Sequence, residues 1–193
     1  MDYFTSDWHI AHKNILKFCD RGVENLDEMH HKLITEHNNI ISDYDTCYFL
    51  GDMAFNIGIG TEVISQLNGH RILVRGNHDF KSSTMSRMGF HFVCERLDLK
   101  RMGKDLTLCH FPFKPSKFKH INVPVWKKVL FGAEDTLRYI NKRPIDRGQW
   151  ILHGHTHDKD QIKGRMIHVG VDAWDMKPVS LRQVESLISK GDK

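Results

Sequence analysis

Cysteine is scarce in this chain, with four residues at Cys19, Cys47, Cys94 and Cys109, and no two are close enough to make a CxxC pair. That spacing argues against a locally built zinc module, whose thiolates usually come in such pairs. Cys47 and Cys109 lie in apolar runs and read as core thiols, so free cysteines are expected rather than disulfides. No apolar run approaches the about 20 residues that cross a membrane. The start, Met1-Asp2-Tyr3, has neither the basic nor the apolar part of a signal peptide, so a cytoplasmic location, bacterial or in a phage-infected host, is the expectation. Repeats, low-complexity tracts and Gly/Ser linkers are absent, so the 193 residues are read as one domain, 1–193. No nucleophilic Ser or Cys motif is evident.

The composition, 40% hydrophobic and 27% charged, is that of an ordinary globular chain. A net charge of +4 permits an anionic substrate without by itself arguing for nucleic acid. Histidine is the outlier, with 14 residues. Seven of them (His9, His12, His78, His110, His153, His155 and His157) fall in or beside four short segments and one lone position. The segments are Asp7-Trp8-His9, Gly51-Asp52, Gly76-Asn77-His78-Asp79 and Gly154-His155-Thr156-His157, with His110 between the last two. Each follows a strand-like apolar run: Tyr3-Phe4-Thr5, Cys47 to Leu50, Ile72 to Val74, Leu106 to Cys109, Trp150 to Leu152. Polar groups at the ends of several strands converge on one sheet edge, where α/β folds place their sites.

The rest of the chain alternates in the same manner. Helices are expected over Ile10–Phe18, from Leu26 after an Asn25/Glu28 capping box, over Thr61–Leu67, over Glu134–Asn141, and after a Ser180/Gln183 box to near Lys190. The first half reads as a βαβ series with parallel crossovers. From Phe90 onward, Phe90–Val93, Leu97–Arg101 and Leu106–Cys109 are expected to be antiparallel, and further strands are expected at Gln149–Leu152 and Met166–Val169.

An aspartate and a histidine two apart at a strand end, as at Asp7 and His9, can face one cation, and their donors suit Mn, Fe, Zn or Ni. Asp52 has two oxygens and can bridge two cations. Asn77 can offer an amide oxygen without adding charge. His78, held beside it, can donate a proton to a leaving oxygen without binding a metal itself. Asp79 can orient His78 or cap the next helix. His155 and His157 point the same way after their strand. Each segment alone has a plainer reading as a turn. Five in this order, each after a strand, are hard to explain by chance.

Taken together, these motifs resemble the calcineurin-like metallophosphoesterase superfamily over nearly the whole chain. The pattern is D-x-H, G-D, G-N-H-[DE], H, G-H-x-H. More narrowly, Thr5 to Ile15, and Val169 to Trp174 with Lys177-Pro178-Val179-Ser180-Leu181, are similar to a small phosphoesterase subfamily of bacteria and their phages. Ala11 stands where that subfamily often has glycine, and the stretch between His110 and Gly154 is longer than in compact members.

The resemblance implies a four-layer α/β/β/α sandwich of mixed sheets and two divalent metal ions, manganese before iron, zinc or nickel. Asp7, His9 and His157 would hold one, Asn77, His110 and His155 the other, with Asp52 bridging. His78, with Asp79 beside it, would act on the substrate. The metals would sit roughly 3.5–4 Å apart and generate a hydroxide that attacks phosphorus. The expected substrate is a small phosphoester of nucleotide type, with no membrane partner. The alternatives are a nuclease or nucleic-acid end phosphatase with the same centre, and a non-catalytic binding protein on this scaffold.

Residues outside the motifs have two readings each. His12, Asn14 and Arg21 are candidate substrate contacts. Against that stand helix-surface positions for the first two and a solvated charge for Arg21. His153 reads as structural, and Trp174 as core. The run Lys114, Lys117, Phe118, Lys119, His120, Trp126, Lys127, Lys128 could meet a nucleotide or nucleic acid, or could be a solvated surface with anchoring aromatics.

Overall fold

The structure is a computed structural model that describes residues 1–101, 103–115 and 139–191. Two five-stranded mixed sheets face each other. In the first sheet the order is β10 (Val179–Ser180), β1 (Asp2–Thr5), β2 (Thr46–Phe49), β3 (His70–Val74), β4 (Phe92–Cys94). All its pairings are parallel except β10 with β1. In the second the order is β5 (Leu97–Arg101), β6 (Lys104–Leu108), β7 (Trp150–His153), β9 (Met166–His168), β8 (Ile162–Lys163). Strands β6, β7 and β9 run parallel, and the edge strands β5 and β8 are antiparallel.

Alternation along the strands explains the layering. Phe4, Tyr48, Leu50 and Val74 point from the first sheet toward Leu106, Leu108, Leu152 and Ile167 of the second and bury the core between them. The opposite side of the first sheet, through Cys47, Phe49 and Leu73, packs on helices α2 (Leu26–Ile40), α3 (Ile57–Ser65) and α4 (Ser82–Arg87). A short α1 (Ile15–Phe18) lies on the same side, and the last helix, α5 (Leu181–Gly191), inserts Val184 and Ile188 into the inter-sheet core. Among the described residues no helix is long and apolar enough to cross a membrane.

Capping accounts for where the helices begin. Asn25 accepts the Glu28 N–H at 2.9 Å, while the Glu28 carboxylate takes the Glu24 N–H rather than that of Asn25. The Ser180/Gln183 box closes in both directions: Gln183 Oε1 accepts the Ser180 N–H at 2.9 Å and Ser180 Oγ accepts the Gln183 N–H at 3.3 Å. Helix α3 starts at Ile57, earlier than Thr61, because Asn56 caps it by accepting the Ile59 N–H at 3.0 Å.

Other elements depart from the sequence reading. The expected helix over Ile10–Phe18 is real only from Ile15. Its first part is tied to the chain after β2, since the Ile10 N–H donates to Met53 O at 2.8 Å and Ile10 bridges Ala54 in parallel. The segment near Phe92 is not antiparallel. It joins the first sheet parallel to β3 as β4, because the six-residue α4 carries the chain back across the sheet. The expected helix at Glu134–Asn141 lies mostly outside the described residues, as does the lysine and aromatic run from Lys117 to Lys128. The four cysteines are free; Cys47 and Cys109 are buried. Trp174 is partly buried against the inter-sheet core, and its indole N–H donates to His168 O at 2.7 Å.

Ala11 has φ +63°, a left-handed conformation that an L side chain adopts at a cost of about 1–2 kcal/mol. Glycine relieves that cost but adds unfolded-chain entropy of about 0.4–1 kcal/mol. Ala11→Gly is therefore expected to stabilise the fold by up to about 1 kcal/mol. A denaturant midpoint that falls in this variant would show that the Ala11 methyl makes compensating contacts.

Candidate metal centre

Every motif residue sits past the carboxyl end of a strand. Asp7 and His9 follow β1, Asp52 follows β2, Asn77 and His78 follow β3, His110 follows β6, and His155 and His157 follow β7. Ser6 bridges Gly170 in parallel, which joins the two sheets beside the site. The loops are laced together by backbone bonds: Asp7 N–H to Gly51 O at 3.0 Å, His9 N–H to Asp52 O at 3.0 Å, Gly154 N–H to His110 O at 3.0 Å. Asp7, His9, Asp52, His155 and His157 all have positive φ, between 53° and 73°. Non-glycine residues in this region are strained and persist only where their surroundings over-determine them. Two glycines make the close approach possible. A Cβ at Gly76 would collide with Asp52 Oδ1, and one at Gly154 with Ser6 Oγ and Asp7 Oδ2.

The side chains gather into two groups. Asp7, His9 and His157 bring one donor atom each within 4.8 Å of one another, and so do Asp52, His110 and His155. Asp52 Oδ2 lies between the groups, 3.4 Å from His110 Nε2 and 3.8 Å from His9 Nε2. Asn77 Oδ1 is 2.9 Å from His110 Nε2, on the side of the second group.

The electrostatics fit cation binding. His9 is buried, and neither of its ring nitrogens makes a hydrogen bond among the described residues. Burial pushes His9 down to about 2 and His155 down to about 3, so both imidazoles stay neutral, as ligation requires. Burial would also lower His110, but the Asp52 carboxylate outweighs it and raises His110 to about 9. The reciprocal His110 charge outweighs burial at Asp52 and holds that carboxyl well below the usual range. Burial opposes charge on His157 as well, yet the Asp172 hydrogen bond, with Cys19 and Asp7, raises it to about 10. With no metal, protons on His110 and His157 compensate the buried carboxylates. A divalent cation would replace that positive charge.

Other candidates take different places. His78 is exposed; its N–H donates to Asp52 Oδ1 at 2.9 Å, and its ring centroid is 5.9 Å from that of His9. His12 stacks on Phe55 at 4.3 Å, and Asn14 is exposed, with no side-chain bond to the helix it precedes.

Asp79 does not orient His78. Its carboxylate accepts the N–H groups of Asp52, Met53 and Gly76 at 2.8–2.9 Å and so clamps two motif loops together. Arg21 is not a solvated charge, because its guanidinium is spent on bonds within the protein. It is buried, with Nε 2.9 Å from Asp172 Oδ1, Nη1 donating to Trp8 O at 2.9 Å and Nη2 to Asp7 O at 2.7 Å. His153 is buried beside His168, 2.8 Å from Gly154 O.

Three participants escaped the sequence reading. Phe55 packs among the rings of His9, His12 and His78. His168 lies 3.9 Å from Asp7 Oδ2. Asp172 accepts from His157 Nδ1 at 2.7 Å, which leaves Nε2 to face the Asp7 group. The only signal for Asp172 was its place in the Val169–Trp174 stretch. Partners of this kind fix a ligand's tautomer and orientation, and losing one costs roughly 10–100-fold in metal affinity. Asp172→Asn is expected to weaken metal binding by that factor in a chelator competition. Unchanged affinity would show that Asp172 serves only the ion pair with Arg21.

No family model matches the chain. An uncharacterized protein of Methanocaldococcus jannaschii is 31% identical over 199 residues, spanning 98% of this chain and 92% of that protein. The Gene 66 protein of Mycobacterium phage L5 is 28% identical over 212 residues, spanning 97% and 93%. Among solved structures, a protein of unknown function from Aquifex aeolicus superposes with a TM-score of 0.68 at 25% identity, covering 97% of this chain and 98% of that one. With this fold, and with the motifs D-x-H, G-D, G-N-H-D, H and G-H-x-H drawn to one edge of it, the chain belongs to the family of the Methanocaldococcus protein.

Proposed function

We propose that the chain is a phosphoester hydrolase acting on nucleotide-type phosphoesters with two divalent cations, manganese first among them. The observation that carries this reading is the pair of ligand groups joined through Asp52 Oδ2. Asp7, His9 and His157 would hold one cation, Asn77, His110 and His155 the other, and Asp52 both. When bound, such a pair polarises phosphoryl oxygens and makes water nucleophilic near neutral pH.

The chain's own residues supply the rest. Phe55 walls one side and fixes the rings of His9, His12 and His78. His78, exposed and anchored by its N–H on Asp52 Oδ1, can reach an incoming ester and give a proton to the leaving oxygen. His12 is the nearest further candidate to meet the phosphate, with Asn14 beyond it. Asp79 holds the Asp52 and Gly76 loops in register and touches no substrate.

The test is hydrolysis of bis-p-nitrophenyl phosphate, p-nitrophenyl phosphate and a nucleotide panel by metal-reconstituted protein. Metal-dependent turnover of at least one ester class is expected. No turnover with Mn, Fe, Zn or Ni would overturn the reading and favour a binding protein on this scaffold.

A further inference from the structure

The net charge is not spread evenly over the molecule. Two adjoining grooves, of about 860 and about 400 Å³, share Arg96, Arg147 and Gln149 along their common border. The first lies over the outward side of β5, β6 and β7, where Asp98, Lys100 and Thr107 point away from the core. Together the grooves are lined by eight Lys or Arg side chains and three acidic ones. That excess of five exceeds the +4 of the whole chain, so everything else nets out slightly negative. Internal pairing takes up part of it, through Arg75 with Glu95 and Arg96 with Asp98. Lys100, Lys142 and Arg147 are exposed and make no ion pair among the described residues.

The second groove approaches the candidate metal centre through Phe111, which packs on His155. Arg75 immediately precedes Gly76-Asn77-His78, and Cys109 and Phe111 flank His110. The Phe111 ring is 4.8 Å from that of His155, and Tyr139 is 5.1 Å from Phe111. Lys142 Nζ sits 5.9 Å over Phe111 and 6.0 Å from Tyr139. The inner end of the trough is thus one aromatic ring away from a proposed ligand.

We propose that this trough binds the backbone of a single-stranded nucleic acid and leads it to the metal centre, so that the substrate is a polynucleotide rather than a free nucleotide. Spaced cations along a groove hold a nucleic-acid backbone without reading its sequence, and the half-buried Tyr139, beside Lys142, offers a ring at its inner end, whereas Phe111 is buried. An acidic protein would also be attracted, but it offers nothing to a centre built for phosphoesters. The proposal rests on the phosphoesterase reading and narrows its substrate.

The test separates the two. A fluorescein-labelled single-stranded DNA is titrated into the metal-free full-length chain, and anisotropy is followed against salt. Three proteins are compared: wild type, the triple variant Lys100→Glu, Lys142→Glu, Arg147→Glu, and a control, Lys17→Glu, Lys32→Glu, Lys190→Glu, with the same change in net charge. Wild type should bind with a steep salt dependence. The trough variant should lose about tenfold or more in affinity, and its log–log salt slope should fall by about 2. The control should keep most of its affinity. Absence of binding at low salt, equal losses in both triples, or displacement by poly-glutamate as effective as by unlabelled DNA would each overturn the proposal. Binding is read without metal and hydrolysis on loaded wild type with small esters, so a failed trough leaves the phosphoesterase reading standing, and the converse holds.

Discussion

Asp52→Asn is expected to remove metal and turnover together. The amide keeps the size of the side chain and one oxygen to accept the His78 N–H, now 2.9 Å from Asp52 Oδ1. It loses the charge that sits 3.4 Å from His110 and 3.8 Å from His9, midway between the two ligand groups. A cation on either side then has one fewer anionic donor, and the two sites lose their link. His110 is held near 9 chiefly by Asp52 against its burial, so its affinity for a proton should fall as well. Metal content of the reconstituted variant should drop, and hydrolysis of every active ester should fall below detection, with the far-ultraviolet circular dichroism unchanged. Full metal occupancy with a near-normal rate would show that Asp52 is not the bridge.

His78→Ala should have the opposite split. The ring is exposed and lies outside both ligand groups, so both metals should remain. The rate on an ester with a poor leaving group should fall by about 10²–10⁴, the usual worth of a general acid. The loss should shrink for p-nitrophenyl esters, whose leaving group needs little protonation. A variant that loses a metal places His78 among the ligands. One that slows activated and unactivated esters equally places it on the phosphate instead.

The gathering of these residues was legible because each motif is local. A short apolar run followed by Asp, Asn or His marks a strand end, and five such ends predict one edge. The Asn25 cap and the Ser180/Gln183 box were legible because a cap is read within four residues, although Glu28 closes on Glu24 instead of Asn25. The failures are nonlocal or too short. Arg21 looks like a surface charge in any window, since its partner Asp172 is 151 residues away. Asp79 looks like a catalytic neighbour of His78 until Asp52, Met53 and Gly76 are seen to consume its oxygens. Helix α4 is six residues and shows no period, so the parallel entry of β4 could not be foreseen. Strands β8 and β10, at two residues each, have no alternation to read. The left-handed backbone at Asp7, His9, Asp52, His155 and His157 leaves no trace, because glycine, its usual marker, stands at none of these positions.

The central claim is that Asp7, His9, Asp52, Asn77, His110, His155 and His157 form one dinuclear centre. Elemental analysis of protein reconstituted with excess manganese and then freed of loose metal tests it most directly. The account predicts two metals per chain, falling with Asp52→Asn and retained with His78→Ala. A stoichiometry that stays at one, with no gain in activity from added manganese, would contradict it.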